Sequence, residues 1–265
     1  MRRIAILAAS GRELASARAA LGTVERRRLG SFGDEVGYAG GVEVHLINTG
    51  IGPAAAAAAA HAVLSAVAPD AVVSTGYAGA LGSAGIGDVI LGTDVCDWPR
   101  EQCQAVFRTD PVLLAIAREA AGEAKLVWSE GPVATVTRVL CRADEKRALA
   151  VASGAIAVDM ESAAIAQAAA AVGVPFLLVR AVSDRVGDDL PMDFNLWLTP
   201  GGRVRAFIRS VQRPSVLCAL FRMKRQVEQG SQNLTRFFLS WLHMLDQDRS
   251  WPRAAMPVTA GMGVR

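Results

Sequence analysis

The chain has 265 residues, of which 52% are hydrophobic, and a formal net charge of +3 with a sequence pI of about 8.9, which suits one large domain with a sizeable core. No stretch is long enough to span a bilayer, and the apolar run near the start breaks at Ser10-Gly11, which argues against a signal peptide. The four cysteines lack C-x-x-C spacing, which argues against a disulfide framework and a zinc site and favours a reduced, cytosolic protein. The three histidines are scattered, which argues against a histidine metal site and a serine–histidine triad. We therefore expect carboxylates to carry any proton transfer.

The first predicted element is a strand followed by a glycine turn. Residues 3–9 predict a buried strand, because residues 4–9 are all apolar. Ser10-Gly11-Arg12-Glu13 then leads into a predicted helix. Backbone N–H groups at such a turn favour an anion. Arg12 and Glu13 therefore face either a ligand or solvent.

A second glycine turn follows another predicted strand. Residues 29–41 are rich in glycine and predict turns, whereas residues 42–48 alternate as a strand does. Residues 49–53 read Thr-Gly-Ile-Gly-Pro, and an alanine-rich helix is predicted from there to about Val67. Proline suits the first position of a helix, and the two glycines allow close approach of the backbone to a ligand.

The middle of the chain alternates further strands and helices. Residues 70–76 predict a buried strand that leads into the glycine-rich turn of residues 77–82. The remaining predictions are strands at 86–94 and 155–158, an irregular segment at 98–109, helices at 111–122, 143–153 and up to Val172, and extended segments at 125–128 and 131–140. This order predicts an α/β fold of three αβα layers around a mixed, largely parallel sheet.

Residues 174–179 form an apolar run that predicts a fully buried strand, and the segment then opens onto Arg180, Ser183 and Asp184. Ligands gather at the carboxyl ends of parallel strands, so Asp184 is a candidate for chemistry. The alternative is a loop or helix-capping aspartate.

Beyond Pro214 the sequence predicts amphipathic helices. A regular apolar stripe is formed by Leu234, Phe237, Phe238, Trp241, Leu242 and Leu245. This helical tail either packs on the core or a partner subunit, or contacts membrane lipid or an apolar substrate. We predict a catalytic domain at 1–212, a helical extension at 213–250 and a disordered tail at 251–265.

Two motifs resemble the signature of one family. Residues 157–166 read Ala-Val-Asp-Met-Glu-Ser-Ala-Ala-Ile-Ala, and residues 179–184 read Val-Arg-Ala-Val-Ser-Asp. Together they resemble the purine nucleoside phosphorylase and methylthioadenosine/adenosylhomocysteine nucleosidase superfamily. Residues 48–52 and 74–81 are similar to its other glycine turns, so the resemblance covers about residues 3–190.

The resemblance implies cleavage of the N-glycosidic bond between ribose and a purine. Asp184 matches the acid that hydrogen-bonds or protonates the purine N7, which requires a raised pKa of the kind that burial supplies. Glu161 matches the carboxylate that accepts hydrogen bonds from the ribose hydroxyls. Met160 matches a residue lining the sugar, with a core methionine as the alternative. Arg180 pairs either with Asp184 or with the end of the sheet.

Other matching positions depart from the family's pattern. Val139 and Leu140 fall where nucleosidases place an aromatic and an aliphatic residue against the base, so stacking is lost but backbone contacts at Val139 can still select the base. Tyr77, close to Gly79, replaces a serine that many members use, which leaves the phosphate and ribose contacts of that turn open.

The resemblance leaves the nucleophile open. Glu13 matches the carboxylate that activates water in hydrolytic members. Arg12, together with Gly11 and Gly50 of the two glycine turns, is a candidate for binding phosphate as a co-substrate.

Within the superfamily, the chain most resembles the hopanoid-associated phosphorylases. This likeness rests on residues 131–139, residues 198–204 and the start of the tail at Arg213. It implies phosphorolysis of adenosylhopane with release of adenine, in hopanoid biosynthesis. The alternatives are a hydrolytic 5′-methylthioadenosine/S-adenosylhomocysteine nucleosidase and an inactive nucleoside-binding module. We expect a cytoplasmic homodimer without cofactor, metal or nucleic acid, with peripheral membrane contact if the helical tail binds lipid.

Overall fold

The structure is a computed structural model that describes residues 1–99, 102–195, 214–248 and Trp251, with the backbone alone described for 214–220. The strands are β1 Arg2–Ala8, β2 Val24–Leu29, β3 Phe32–Ala39, β4 Val42–Asn48, β5 Ala71–Ala80, β6 Val89–Asp97, β7 Ala105–Arg108, β8 Trp128–Thr135, β9 Ala157–Asp159 and β10 Phe176–Asp184. The helices are α1 Gly11–Leu21, α2 Pro53–Ala66, α3 Pro111–Glu123, α4 Ala143–Ser153, α5 Ser162–Ala171 and α6 Pro214–Gln247.

The strands form one mixed sheet. In its centre β4, β1, β5 and β10 lie parallel, so that Ile6 of β1 pairs with Leu46 on one side and with Val73 on the other. Strands β2, β3 and β4 form an antiparallel meander at one edge. On the opposite side β10 pairs with β6, β6 with β8, and β8 with β9, which returns to the end of β5. The sheet therefore closes on itself around β5.

Helices cover both faces of this sheet. Ile4 and Ile6 of β1 face a core shared with α1, α3 and α6, whereas Ala5 and Leu7 face a core shared with α2 and α5. All four side chains are fully buried. Burial on both faces explains why β1 is continuously apolar rather than alternating. The predicted α/β fold with a mixed sheet between helical layers is confirmed.

The meander at the sheet edge was not predicted. Residues 29–41, which we predicted as turns, complete the hairpin of β2 and β3 around a two-residue loop at Gly30. Most of β2 is exposed and charged, because Arg26, Arg27 and Arg28 occupy three of its six positions. It therefore lacks the apolar pattern by which strands are predicted. Strand β7 lies in the segment that we predicted as irregular.

The helical tail is one continuous helix of 34 residues rather than a pair. Its stripe joins the core with α1 and α3, and each stripe residue is at most 1% exposed; these residues are Leu234, Phe237, Phe238, Trp241, Leu242 and Leu245. Packing on the core is therefore confirmed, and a membrane contact through this stripe is wrong. Among the described residues, no helix is long and apolar enough to cross a bilayer.

Gly230 lets α6 cross close to the sheet. A Cβ added at this glycine would lie 3.1 Å from the Ala181 Cβ and 3.3 Å from the Tyr77 Cε1. The spacing is tighter than most side chains tolerate, so glycine sets how closely α6 approaches β5 and β10. This approach brings the N-terminal half of α6 over the ends of those strands.

Trp251, which we predicted to begin a disordered tail, is buried instead. It is 1% exposed, its Nε1 donates to the Leu245 carbonyl at 3.2 Å, and the Arg2 guanidinium lies 4.3 Å from its ring centroid. Residues 252–265 and the predicted domain boundary at 212 lie outside the described residues.

Candidate active site

A cavity of about 400 Å³ opens at the carboxyl ends of the central strands, where α/β folds bind ligands. Nine of the predicted site residues line it: Arg12, Glu13, Tyr77, Gly79, Val139, Leu140, Met160, Glu161 and Asp184. Arg180 is buried beneath the cavity, and Gly11 and Gly50 belong to the adjoining turns. Three carboxylates from separate parts of the chain thus meet in one cavity.

Glu13 is held at the start of α1 by two turns at once. The Ser10 hydroxyl caps the helix by accepting the Glu13 N–H and donates to Glu13 Oε2 at 2.9 Å. The backbone N–H of Tyr77 donates to Oε1 at 3.2 Å. A Cβ at Gly76 would lie 2.5 Å from Oε1, and the φ of +140° there disfavours other residues, so any side chain at this position would be strained and would displace the Glu13 carboxylate. Burial raises the pKa of Glu13, and the nearby Arg180 charge offsets part of that rise.

Glu161 follows β9 and connects to the glycine turn of residues 49–53. Its Oε1 accepts the backbone N–H of Gly52 at 2.8 Å. Burial, and then the negative charge of Asp159, raise the pKa of Glu161 to about 7. The bond to Gly52 leaves Oε2 available, so this oxygen can accept a hydrogen bond from a ligand hydroxyl.

Asp184 ends β10 and has partners that the sequence did not reveal. Its Oδ1 accepts the Ser183 hydroxyl at 2.6 Å, and its Oδ2 accepts the Nζ of Lys146 from α4. Asp184 therefore forms an ion pair with Lys146, not with Arg180 as one alternative had it. Nothing in the helical sequence around Lys146 distinguishes it from a lysine on a solvated helix face.

Arg180 instead pairs with Asp159. The Nε and Nη2 atoms lie 2.9 and 2.8 Å from Asp159 Oδ2, and Nη2 also donates to the hydroxyls of Ser74 and Ser162. These contacts agree with the alternative in which Arg180 has a structural role at the end of the sheet. Within the described residues, Nη1 has no hydrogen-bond partner. It would lie 3.4 Å from a Cβ at Gly76, on the side where Glu13 approaches.

Three backbone N–H groups of the glycine turns at residues 49–53 and 76–82 already have partners. Gly50 N–H donates to Asn48 Oδ1 at 3.1 Å, Gly52 N–H donates to Glu161, and Tyr77 N–H donates to Glu13. Two of these three donors therefore bind carboxylates of the chain itself. Arg12 is exposed at the cavity.

Val139 and Tyr77 have neighbours that were not predicted. The Val139 N–H donates to Asn195 Oδ1 at 2.8 Å, and its carbonyl accepts Asn195 Nδ2 at 3.0 Å. A base that uses these two backbone groups must displace the Asn195 amide. Tyr77 packs against α6 near Gly230, and burial raises its pKa.

Exposed and half-buried apolar side chains also line the cavity. We call this set the apolar rim: Ile51, Leu190, Phe194, Met223 and Val227. Every member is at least partly exposed, which locates the rim at the opening of the cavity. Two members come from α6, so the tail helix contributes to the site.

Known proteins are similar to this chain in sequence. The 5′-methylthioadenosine/S-adenosylhomocysteine nucleosidase of Chromohalobacter salexigens is 31% identical over 213 residues, which cover 75% of this chain and 91% of that protein. The corresponding protein of Shewanella oneidensis is 31% identical over 217 residues, covering 76% and 91%.

Solved structures share the fold. The Neisseria meningitidis 5′-methylthioadenosine/S-adenosylhomocysteine nucleosidase, in complex with methylthio-immucillin-A, superposes with a TM-score of 0.73 at 23% identity and covers 92% of this chain and 100% of that chain. The Helicobacter pylori futalosine hydrolase mutant gives a TM-score of 0.73 at 21% identity, with the same coverage. A family model described as the phosphorylase superfamily matches residues 3–199. This match spans every strand that contributes to the cavity, and the chain belongs to the phosphorylase superfamily.

Proposed function

We propose that the protein hydrolyses the N-glycosidic bond of a 5′-substituted adenine nucleoside and releases adenine. Glycosidic cleavage passes through an oxocarbenium-like state. It needs a polar group at the leaving base, a hold on the sugar and a positioned nucleophile. Asp184, Glu161 and Glu13 are suited to these three tasks in that order. The relatives' names describe the same reaction, which supports the proposal.

The position of Glu13 favours water over phosphate as the nucleophile that attacks the sugar. Its carboxylate accepts the Tyr77 N–H at the glycine turn of residues 77–82, the kind of donor that a bound phosphate would need. A phosphate there would meet a carboxylate of like charge. The raised pKa of Glu13 suits a general base, because such a base works best with a pKa close to the working pH. The nearby Nη1 of Arg180, which has no hydrogen-bond partner among the described residues, can donate to the attacking water.

Asp184 and Glu161 suit the two ends of the nucleoside. Asp184 has one lone pair left on each oxygen after its bonds to Ser183 and Lys146, so it can hold the purine edge. Glu161 keeps one oxygen for the ribose hydroxyls after binding Gly52. The apolar rim supports an apolar group at the 5′ position of the sugar, such as a thioether.

Phosphorolysis of a lipid-linked adenine nucleoside, adenosylhopane, is the second candidate. The apolar rim favours it, as does Phe221 of α6, which is 70% exposed beside the exposed Arg222. An exposed aromatic next to basic residues suits the surface of an anionic membrane. It ranks second because the Glu13 carboxylate opposes a phosphate.

A substrate panel tests both candidates. Adenine release is measured from 5′-methylthioadenosine, S-adenosylhomocysteine and adenosylhopane, each with and without phosphate. We expect turnover of the two thio-nucleosides at rates that phosphate does not change. Turnover that requires phosphate would contradict hydrolysis and favour the second candidate. Glu13→Gln is the matched variant, since it keeps the side-chain shape but removes the base. The expected homodimer and cytoplasmic location remain predictions.

A further inference from the structure

Lys146 is a buried lysine whose three donors are all used. Its side chain is 1% exposed, and its Nζ contacts Asp184 Oδ2 together with the carbonyls of Arg185 and Asp188, both at 2.9 Å. An ammonium has three N–H groups, so each one has an acceptor. The site is therefore built around a charged lysine.

The choice of lysine at this site is unusual for the chain. The sequence contains three lysines and 25 arginines, and the other two lysines, Lys125 and Lys224, are exposed. A guanidinium is a planar fork that suits one carboxylate, whereas an ammonium directs three donors from one atom. The geometry at Asp184, Arg185 and Asp188 matches the ammonium, which explains why arginine is not used here.

Asp184 is confined on several sides by these contacts. Lys146 binds Oδ2, Ser183 binds Oδ1, and a Cβ on Gly79 would lie 3.1 Å from Oδ2. The same ammonium fixes the turn of residues 185–188, which leads to Leu190 on the apolar rim. One side chain thus links the carboxylate to the segment that borders the cavity.

We propose that Lys146 is a positioning residue for the glycosidic cleavage: it holds the Asp184 carboxylate in register with the base. This inference rests on the proposed function. Lys146 acts through Asp184, so its loss lowers kcat while leaving the contacts to the ribose and the 5′ group in place. A purely structural lysine would instead affect stability and leave the turnover of the folded protein unchanged.

The test compares Lys146→Met, Lys146→Arg, Asp184→Asn and the double variant Lys146→Met/Asp184→Asn in the full chain, with Lys125→Met as the exposed-lysine control. kcat and KM are measured with 5′-methylthioadenosine, and circular dichroism confirms folding. We expect Lys146→Met to lower kcat about a hundredfold, the loss typical of a misplaced reacting group, with KM within about threefold of wild type. Lys146→Arg should also lose at least about tenfold in kcat, because it keeps the charge but not the three-point contact.

The double variant separates positioning from structure. Since Lys146 acts through Asp184, the double variant should have a kcat within about threefold of Asp184→Asn alone. It leaves no buried charge unpaired, so it stays informative if Lys146→Met does not fold. If the losses in kcat of the two single variants multiply in the double variant, the inference is wrong. It is also wrong if folded Lys146→Arg has the wild-type kcat. Either result would leave the proposed function standing. Absence of adenine release by the wild type would overturn the proposed function and the inference with it.

Discussion

Replacing Glu161 with glutamine should stabilise the protein at alkaline pH. Burial and the charge of Asp159 raise the pKa of Glu161 from an ordinary 4.5 to about 7. A carboxyl whose pKa is higher in the folded state contributes stability that is fully present below about pH 4.5 and is lost as the pH rises through about 7. At about 1.4 kcal/mol for each pH unit, the loss reaches about 3 kcal/mol at most.

Glutamine removes this loss and keeps the local contact. Its side-chain oxygen can still accept the Gly52 N–H, so the fold around the glycine turn of residues 49–53 stays intact. We expect Glu161→Gln to match the wild type within about 1 kcal/mol near pH 5 and to exceed it by about 3 kcal/mol near pH 8. The variant should lose activity near pH 8, where the wild-type Glu161 is a carboxylate and the glutamine amide cannot accept the ribose hydroxyls in its place.

Urea unfolding followed by tryptophan fluorescence measures this difference at the two pH values. The comparison of variant with wild type cancels the titration of all other groups that the two proteins share. A stability difference that does not change with pH would refute the electrostatic account of Glu161. So would a variant that is less stable than the wild type near pH 8.

Three further predictions follow from the site and the core. The acidic limb of the kcat/KM profile should have its midpoint near pH 7, because Glu161 and Glu13 both act as carboxylates. The pKa of Glu161 is about 7 and that of Glu13 is also raised. A midpoint near the ordinary 4.5 would contradict this. Asp184→Asn should lower kcat at least about a hundredfold in steady-state adenine release, the usual contribution of a positioned acid or base, and a loss below about tenfold would rule out that role. Trp241→Ala should lower the free energy of unfolding by about 3–5 kcal/mol in urea titrations, since Trp241 is fully buried in the core beneath α6, whereas a loss under about 1 kcal/mol would mean that α6 is not part of that core.

The parts of the fold that the sequence predicts are those buried on both faces. Strands β1 and β10 each contain a continuous apolar run, residues 4–8 and 176–179, so their position is visible from composition alone. The β2–β3 hairpin is not visible, because its side chains are charged or small and its stability comes from pairing with β4. Helix α6 was divided in two because its first half carries no regular apolar stripe and instead contributes Met223 and Val227 to the cavity.

The site was predicted where its residues follow strand ends and missed where they come from elsewhere. Glu161 lies two residues after the end of β9, and Asp184 is the last residue of β10. Predicting these strands therefore also locates both carboxylates. Lys146 reaches Asp184 across 38 residues, and Asn195 reaches Val139 across 56. Such contacts depend on how α4 and the segment after β10 pack, which one sequence does not specify. Packing also decides that Arg180 pairs with Asp159 rather than with Asp184, so the sequence alone does not reveal this pair.

The sugar product formed in the presence of phosphate tests the central claim most directly. Wild-type protein is incubated with 5′-methylthioadenosine in saturating phosphate, and the products are identified by mass spectrometry and phosphorus NMR. A Glu13 carboxylate that activates water predicts free 5-methylthioribose and adenine, with no sugar phosphate. Formation of 5-methylthioribose 1-phosphate would contradict it and would show that phosphate, not water, attacks the sugar.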